Sequence, residues 1–363
     1  MLPHDIQHLV GSGAFNSSDP LLHSDTIHHV EFDFYGKRVV TVSSDKLVCI
    51  WDKEMQGKWK RTASWKKHGG AVWKARFAHP EFGQILATCS FDNTIQIFDK
   101  DAVDVMDARS SMSASDFSNG TSSITDIQFS PHYLGLQLAA CTSSGRLIIY
   151  EAEDIMTLDN WNVIVDIEIC QHRLCSLSWS RSRFDPPYIT LSIFPARVIS
   201  SSVESNSKGT KQELKDYKFP FEDPVSMIAF GPSCGLGMHK LAIAVGTKLL
   251  IYQLQLTITD DHNQEELHSS TERIGENQIT TENATEQSTT IQQHFIIKSL
   301  DVLEEGTSQL VRFSWNILGD IISAVYADGL VRIWRYTYSN RWCSTSTIVP
   351  PAEQERNPED IYY

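Results

Sequence analysis

The stretch from Trp65 to Asp99, WKKHGGAVWKARFAHPEFGQILATCSFDNTIQIFD, restricts the possible folds more than any other part of this chain. A turn at His68-Gly69 opens it. Ala71, Trp73, Ala75 and Phe77 then alternate with their neighbours, and Ile85 to Cys89 form a second apolar run. A tight turn at Ser90 to Asn93 feeds a third run, Ile95 and Ile97, closed by Phe98 and Asp99. Period-two alternation places successive side chains on opposite faces of a strand. The stretch therefore reads as an antiparallel unit of three strands with a loop to the next unit. One such unit cannot bury both faces, so the fold depends on whether it recurs.

It recurs. From Asp25 to Asp52 the chain shows the run His29 to Phe34, a Tyr35-Gly36 turn, Val39 to Val42, the turn Ser43-Ser44-Asp45, and Leu47 to Trp51. Asp45 precedes Trp51 by six residues, as Asp92 precedes Phe98; Ser43 and Ser90 each lie two residues before their Asp. A third unit covers Ser123 to Glu151, with Ser144 in the Asp position and Tyr150 in the Trp position. A fourth begins at Leu174 to Trp179 and blurs after Phe194. A fifth spans Pro224 to Tyr252, and a sixth spans Leu310 to Arg335, where Asp328 again lies six before Trp334. The closing aromatics Trp51, Phe98 and Tyr150 are about fifty residues apart. Six units with this period and turn predict an all-β fold, a six-bladed β-propeller of four-stranded blades over residues 23–343. Residues 1–22 read as an N-terminal segment and 344–363 as a disordered tail. The polar intervals 108–122 and 257–293 read as disordered loops, having too little apolar surface to offset the entropy of ordering.

The signature residues have local reasons. The turn Asp can accept from backbone N–H groups and hold a tight bend. His68 can donate to Asp92, giving His68, Ser90 and Asp92 as a linked set. A Trp at the end of the third strand fills the gap between splayed blades. Phe98 fills that space without an N–H, so the second unit is expected to lack a complete His–Ser–Asp–Trp chain. Tyr150 and Tyr252 replace the Trp by packing alone.

Little in the chain points to catalysis. There is no G-x-S-x-G, P-loop or H-E-x-x-H pattern, and the Asp residues sit at fixed repeat positions, so no enzyme activity and no cofactor are expected. Cys170, His172 and Cys175 lack the second close pair that a zinc site needs. Seven Cys with no secretory leader read as reduced thiols, with Cys49, Cys89 and Cys141 as small core residues. The opening MLPHDIQHLVGSG lacks an apolar run, and no segment is apolar enough to span a membrane. A formal charge of −14 argues against direct nucleic-acid binding. Lys58, Lys60, Arg61, Lys66 and Lys67, interleaved with Trp59 and Trp65, are the best basic-aromatic candidate for a single strand; an outer strand facing water explains them better.

The repeats resemble the WD40 family, with Trp51-Asp52 as its dipeptide. More narrowly, Ala63 to Lys66, Val72-Trp73-Lys74, Ala78 to Gln84 and Cys89 to Asp92 resemble WD40 nucleoporins of the Sec-thirteen-homologue type. Leu134 to Ala139, Tyr150-Glu151-Ala152, Leu158 to Trp161, Ser314-Trp315-Asn316 with Gly319, and Trp342-Cys343 add to the likeness. The resemblance implies an open six-bladed ring closed in trans by a blade from an α-solenoid nucleoporin. It implies a scaffold role in the Y-shaped subcomplex of the nuclear pore, with other Y-complex nucleoporins as partners. A second role with GATOR subunits, which regulate TOR near lysosomes, is also implied. The open edge is expected near Asp5 to Val10 and the last blade. The alternative within the fold is the COPII coat propeller. The alternative of another class is a peptide-reading adaptor of a ubiquitin ligase, which needs a ring of Arg; the Arg residues here read as few and scattered.

Overall fold

A computed structural model describes residues 23–349, apart from 56, 101–105, 114–122, 186, 194–196, 203–216, 222, 233–234, 236, 261–272, 280–290 and 304–307. The strands sort into six antiparallel sheets. Blade one is β1 (Ile27–Phe32), β2 (Arg38–Ser43), β3 (Val48–Lys53) and β4 (Trp59–Trp65); blade two is β5 (Val72–Phe77), β6 (Ile85–Ser90), β7 (Thr94–Lys100) and β8 (Met106–Ser113). Blade three is β9 (Ile124–Phe129), β10 (Gln137–Thr142), β11 (Arg146–Ala152) and β12 (Trp161–Glu168). Blade four is β13 (Leu174–Trp179), β14 (Tyr188–Ile193), β15 (Arg197–Ser202) and β16 (Tyr217–Pro220). Blade five has five strands: β17 (Val225–Phe230), β18 (Met238–Val245), β19 (Lys248–Asp260), β21 (Ile291–Leu303) and, outermost, β20 (Arg273–Ile279). Blade six is β22 (Leu310–Trp315), β23 (Ile321–Tyr326), β24 (Val331–Tyr336) and β25 (Trp342–Ile348).

The second strand of each blade is the apolar centre: β6 is buried along its whole length, as is β14. Blades pack face to face. Val40, Val42, Val48 and Ile50 of blade one close on Val72, Leu86 and Phe98 of blade two. Comparable clusters join blades two and three, three and four, four and five, and five and six. Burying one such Phe or Leu stabilises the fold by about 1.5–3 kcal/mol, so each of these seams holds many kcal/mol.

Each inner strand carries a bulge at its start. Ile27 pairs with Ser43 but His29 with Val42, leaving His28 as the extra residue. The same slip leaves Trp73, Thr125, Cys175, Ser226 and Val311 unpaired in blades two to six. A bulge disrupts the ladder locally and re-aims side chains. Consecutive residues, such as Val311 and Arg312, therefore both line the central lumen.

Four expectations need correction. Residues 108–113 are not loop but part of β8, paired with β7. The tail does not begin at 344: β25 runs to Ile348 along β24. Within 257–293, the β19–β21 ladder continues to Asp260 and Ile291, and β20 pairs with β21. These are outermost strands or extensions beyond the core, so they carry no apolar alternation. Their Thr, Ser and Ile content still favours extended backbone. The rest of 114–122 and 257–293, the segment 1–22 and residues 350–363 lie outside the described residues. Finally, blade four, blurred in sequence, forms a four-stranded sheet, with Val198 paired to Phe219.

Candidate functional site

The turn residues of blades one and two form two versions of one network. His68 Nδ1 lies 3.1 Å from Asp92 Oδ2, and its Nε2 lies 2.7 Å from Thr88 Oγ1. The carboxylate can only accept, so Nδ1 carries the proton and Nε2 accepts from the Thr hydroxyl. Asp92 also takes the backbone N–H groups of Gly69 (2.7 Å) and Thr94 (3.0 Å). Burial works against the charged forms of both partners; the hydrogen bonds from Thr94, then His68 and Gly69, outweigh it and hold Asp92 below the usual carboxylate range. At His68 burial prevails over Asp92 and lowers the imidazole pKa.

Blade one repeats this with His23, which sequence reading passed over because no Gly follows it. His23 Nδ1 reaches Asp45 at 3.1 Å, and Nε2 meets Thr41 Oγ1 at 2.8 Å. Here Trp51 Nε1 also donates to Thr41 Oγ1, at 3.0 Å. The hydroxyl in the chain is therefore Thr41 or Thr88, not Ser43 or Ser90. The two Ser Oγ atoms accept from the N–H of Asp45 and Asp92, both at 3.2 Å, inside the turn. In blade two Phe98 replaces the indole and packs on Trp65, with ring centroids 4.9 Å apart. Tyr150, Tyr252 and Trp334 are buried in the seams. Asp328 is exposed and accepts from Leu330 N at 3.1 Å.

This network keeps blades in shape; it has no reacting partner. Cys49 and Cys89 are buried, which pushes their thiols up to about 11 and about 12; Cys141 is raised further. Cys170 and Cys175 donate to the carbonyls of His172 and Arg173. Among the described residues one group, His79, Glu81 and His132, brings three potential metal-ligand atoms within 4.8 Å of one another. Its imidazoles stack at 4.3 Å, and His79 Nδ1 already accepts from Glu81 N.

The basic-aromatic run occupies the outer strand β4, where exposed and half-buried residues alternate. Trp65 is held by Phe98, and Trp59 lies between Phe32 and the Lys53 ammonium. Neither indole is free to stack on a base.

The seam between blades six and one is unlike the other five. Inner strands pack side by side from β1 through β5, β9, β13 and β17 to β22, but β22 and β1 barely touch. Val39, Cys49 and Trp51 cluster only with Val30, Leu47 and Trp59 of their own blade. Phe32, at the end of β1, is 54% exposed. Across the gap, Ile321, Ser323, Val325, Val331 and Ile333 of blade six are only half-buried, while their strand neighbours Ile322, Ala324 and Trp334 pack fully against blade five. Across the seam Arg312 Nη2 donates to the His28 carbonyl at 3.3 Å. Among the described residues, what lies open is a pair of sheet faces; the edge expected near Asp5 to Val10 lies outside them. Both terminal blades have four strands.

The WD domain, G-beta repeat model matches residues 21–52 and 59–99. The chain is 34% identical to nucleoporin SEH1 of Pongo abelii over 341 residues, covering 90% of this chain and 86% of the relative. It is 33% identical to nucleoporin SEH1 of Homo sapiens with the same coverage. Against nucleoporin SEH1-A of Xenopus laevis it is 34% identical over 330 residues, covering 88% of this chain and 84% of the relative.

Proposed function

The chain belongs to the nucleoporin SEH1 family, and from that premise we propose that it is a structural subunit of the nuclear pore complex, acting at the nuclear envelope. It supports nucleocytoplasmic transport of protein and mRNA through architecture and not through chemistry. The observation that carries its mode of action is the seam between blades six and one. On the blade-six side Ile321, Val325 and Ile333 are only half-buried, and on the blade-one side Phe32 is exposed while Val39, Cys49 and Trp51 form a small buried cluster that includes no described residue of blade six. An apolar patch of this kind marks a protein contact.

The partner is an α-solenoid nucleoporin of the Y-shaped subcomplex that supplies a sheet in trans. A β-sheet inserted between the faces would be sandwiched as the other blades are, burying Phe32 and Trp59 on one side and Val325 and Ile333 on the other. Its own fourth strand need not pair with any edge here. This arrangement matches the way blade two seats against blade one.

The test is purification of the protein from cells, with partners identified by mass spectrometry. Nuclear pore subunits co-purify with the wild type and are lost from a Val325→Asp, Ile333→Asp double variant that keeps its circular dichroism. Recovery of a vesicle-coat solenoid without any nuclear pore subunit overturns the reading in favour of the COPII propeller. Recovery of GATOR subunits beside the pore subunits adds the second, nutrient-signalling role.

A further inference from the structure

The chain carries a formal charge of −14, yet its central lumen is lined with cations. The lumen consists of two chambers of about 820 and 580 Å³ that share Glu31, Phe32 and Arg76. Lys74, Arg76, Arg173 and Arg312 line the larger; Arg76, Arg181 and Arg183 line the smaller. The carboxylates on these walls are Glu31 and Asp126. Six cations thus face two anions; residues that look scattered in sequence converge because the inner strands and their ends surround the lumen, and Lys74 and Arg312 directly follow the bulged Trp73 and Val311.

The two carboxylates are already committed. Glu31 pairs with Arg76 Nη1 at 2.7 Å, and Asp126 pairs with Lys74. Asp126 also accepts from Leu177 N, at 3.1 Å. Among the described residues Arg312 has only the His28 carbonyl as a hydrogen-bond partner, and no carboxylate pairs with Arg181. Burial, then repulsion from Arg76, lowers the pKa of both Arg181 and Arg312. In the same chamber as Arg312, His29 is 4% exposed, and its Nδ1 has no hydrogen-bond partner among the described residues. Burial, then Arg76, Arg312 and Lys74, push its pKa well down, so it is a neutral ring with a polar atom to spare. A concentration of like charge with little neutralisation is unfavourable in an enclosed space. Guanidinium forks are matched in geometry and charge to phosphate oxygens.

We propose that the lumen binds a small multivalent oxyanion of the phosphate class that reaches from the larger chamber, where Arg312 of blade six and His29 of blade one stand, past Arg76 of blade two, which both chambers share, to Arg181 of blade four in the smaller. A chamber of about 820 Å³ is within the range that encloses a small ligand. Because Arg312 and His29 stand on the two sides of the incomplete seam, the anion ties blade six to blade one from inside. This inference is independent of the pore-scaffold reading, and a failure of either leaves the other standing.

The experiment is calorimetric titration of the full chain with pyrophosphate and with orthophosphate, at ionic strength held constant with sodium chloride. The expected result is saturable binding of pyrophosphate, tighter than orthophosphate, with a rise in Tm on saturation. Arg312→Gln and Arg181→Gln each weaken binding by roughly tenfold or more, the loss of one charge-assisted hydrogen bond. Lys67→Gln, on the exposed β4–β5 connection, leaves binding unchanged. Arg181→Gln breaks no carboxylate pair among the described residues, so it keeps the test decisive if Arg312→Gln fails to fold. Absence of binding overturns the proposal. So does equal weakening by Lys67→Gln, or binding unaltered in Arg181→Gln.

Discussion

Two seams of this ring use similar residues to different ends. Between blades one and two, Val40, Val42, Val48 and Ile50 meet Val72, Leu86 and Phe98, all almost fully buried. Between blades six and one, the opposite face of the same blade offers Val39, Cys49 and Trp51, each at most 5% exposed, with Trp59 half-buried beside them, and no described residue of blade six joins their cluster. Alternation is good along both faces, so β-pattern alone does not distinguish a seam that stabilises the fold from one that is left for a partner. The difference lies in what stands across the gap. A strand sequence shows that a face is apolar; only the assembled ring shows whether it is covered.

Adjacent positions on β23 give the largest contrast. Ala324 is 0% exposed and faces blade five; Val325 is half-buried and faces the gap. Ala324→Asp buries an unpaired carboxylate and is expected to cost more than about 4 kcal/mol, enough to unfold the chain. Val325→Asp shifts the chemical-denaturation midpoint little and acts on partner capture instead. Equal destabilisation by the two would show that the gap face is buried in the free protein. Next is Phe98→Ala, expected to cost about 3–5 kcal/mol because the closed seam cannot collapse around the cavity. Phe32→Ala, on the open side, stays within about 0.5 kcal/mol; urea unfolding of both variants measures the ratio.

A smaller effect compares the two hydrogen-bond chains. Thr41→Val strands both His23 Nε2 and Trp51 Nε1, whereas Thr88→Val strands only His68 Nε2. With about 1–3 kcal/mol for each unsatisfied buried group, the blade-one variant loses about twice as much. Equal losses would mean that the indole N–H adds nothing. Mild acid gives the smallest effect. Burial lowers the pKa of His23 and His68 in the fold, against the opposing pull of Asp45 and Asp92. The unfolded chain then binds more protons as pH falls through about 6.5, so stability is full above that value and declines below it. The Asp45 and Asp92 carboxylates are also lowered, so their contribution is lost only as pH falls below about 3.8. A Tm that is flat between pH 7 and 5.5 would contradict this assignment of neutral imidazoles.

Five blades were legible because each repeats an apolar second strand and an Asp-, Ser- or Gly-bearing turn; blade four, with Phe194-Pro195-Ala196 at that turn, was legible only through its first two strands. Positive φ at Lys46, Asn93, Gly145 and Gly329 marks the same turn position in four blades. At Gly145 a side chain is impossible, since a Cβ would lie 1.8 Å from the Cys170 carbonyl oxygen. Outer strands were less legible: β8, β20 and β25 are the outermost strands of their blades and their sequences are largely polar. The Thr hydroxyls escaped notice because a hydroxyl inside an apolar strand looks like any β-branched residue. The lumen was illegible for another reason. Lys74, Arg76, Arg181 and Arg312 come from three blades far apart in the chain, and Lys74 and Arg312 directly follow one-residue bulges that sequence does not reveal.

The central claim, that the faces beside the seam are held open for an inserted sheet, is tested most directly by carbene footprinting of the free protein and of the complex purified from cells. Phe32, Trp59, Val325 and Ile333 should be labelled in the free protein and protected in the complex. Exposed Phe184, away from the seam, should be labelled equally in both. Protection of the four seam residues in the free protein, or unchanged labelling of them in the complex, would contradict the claim.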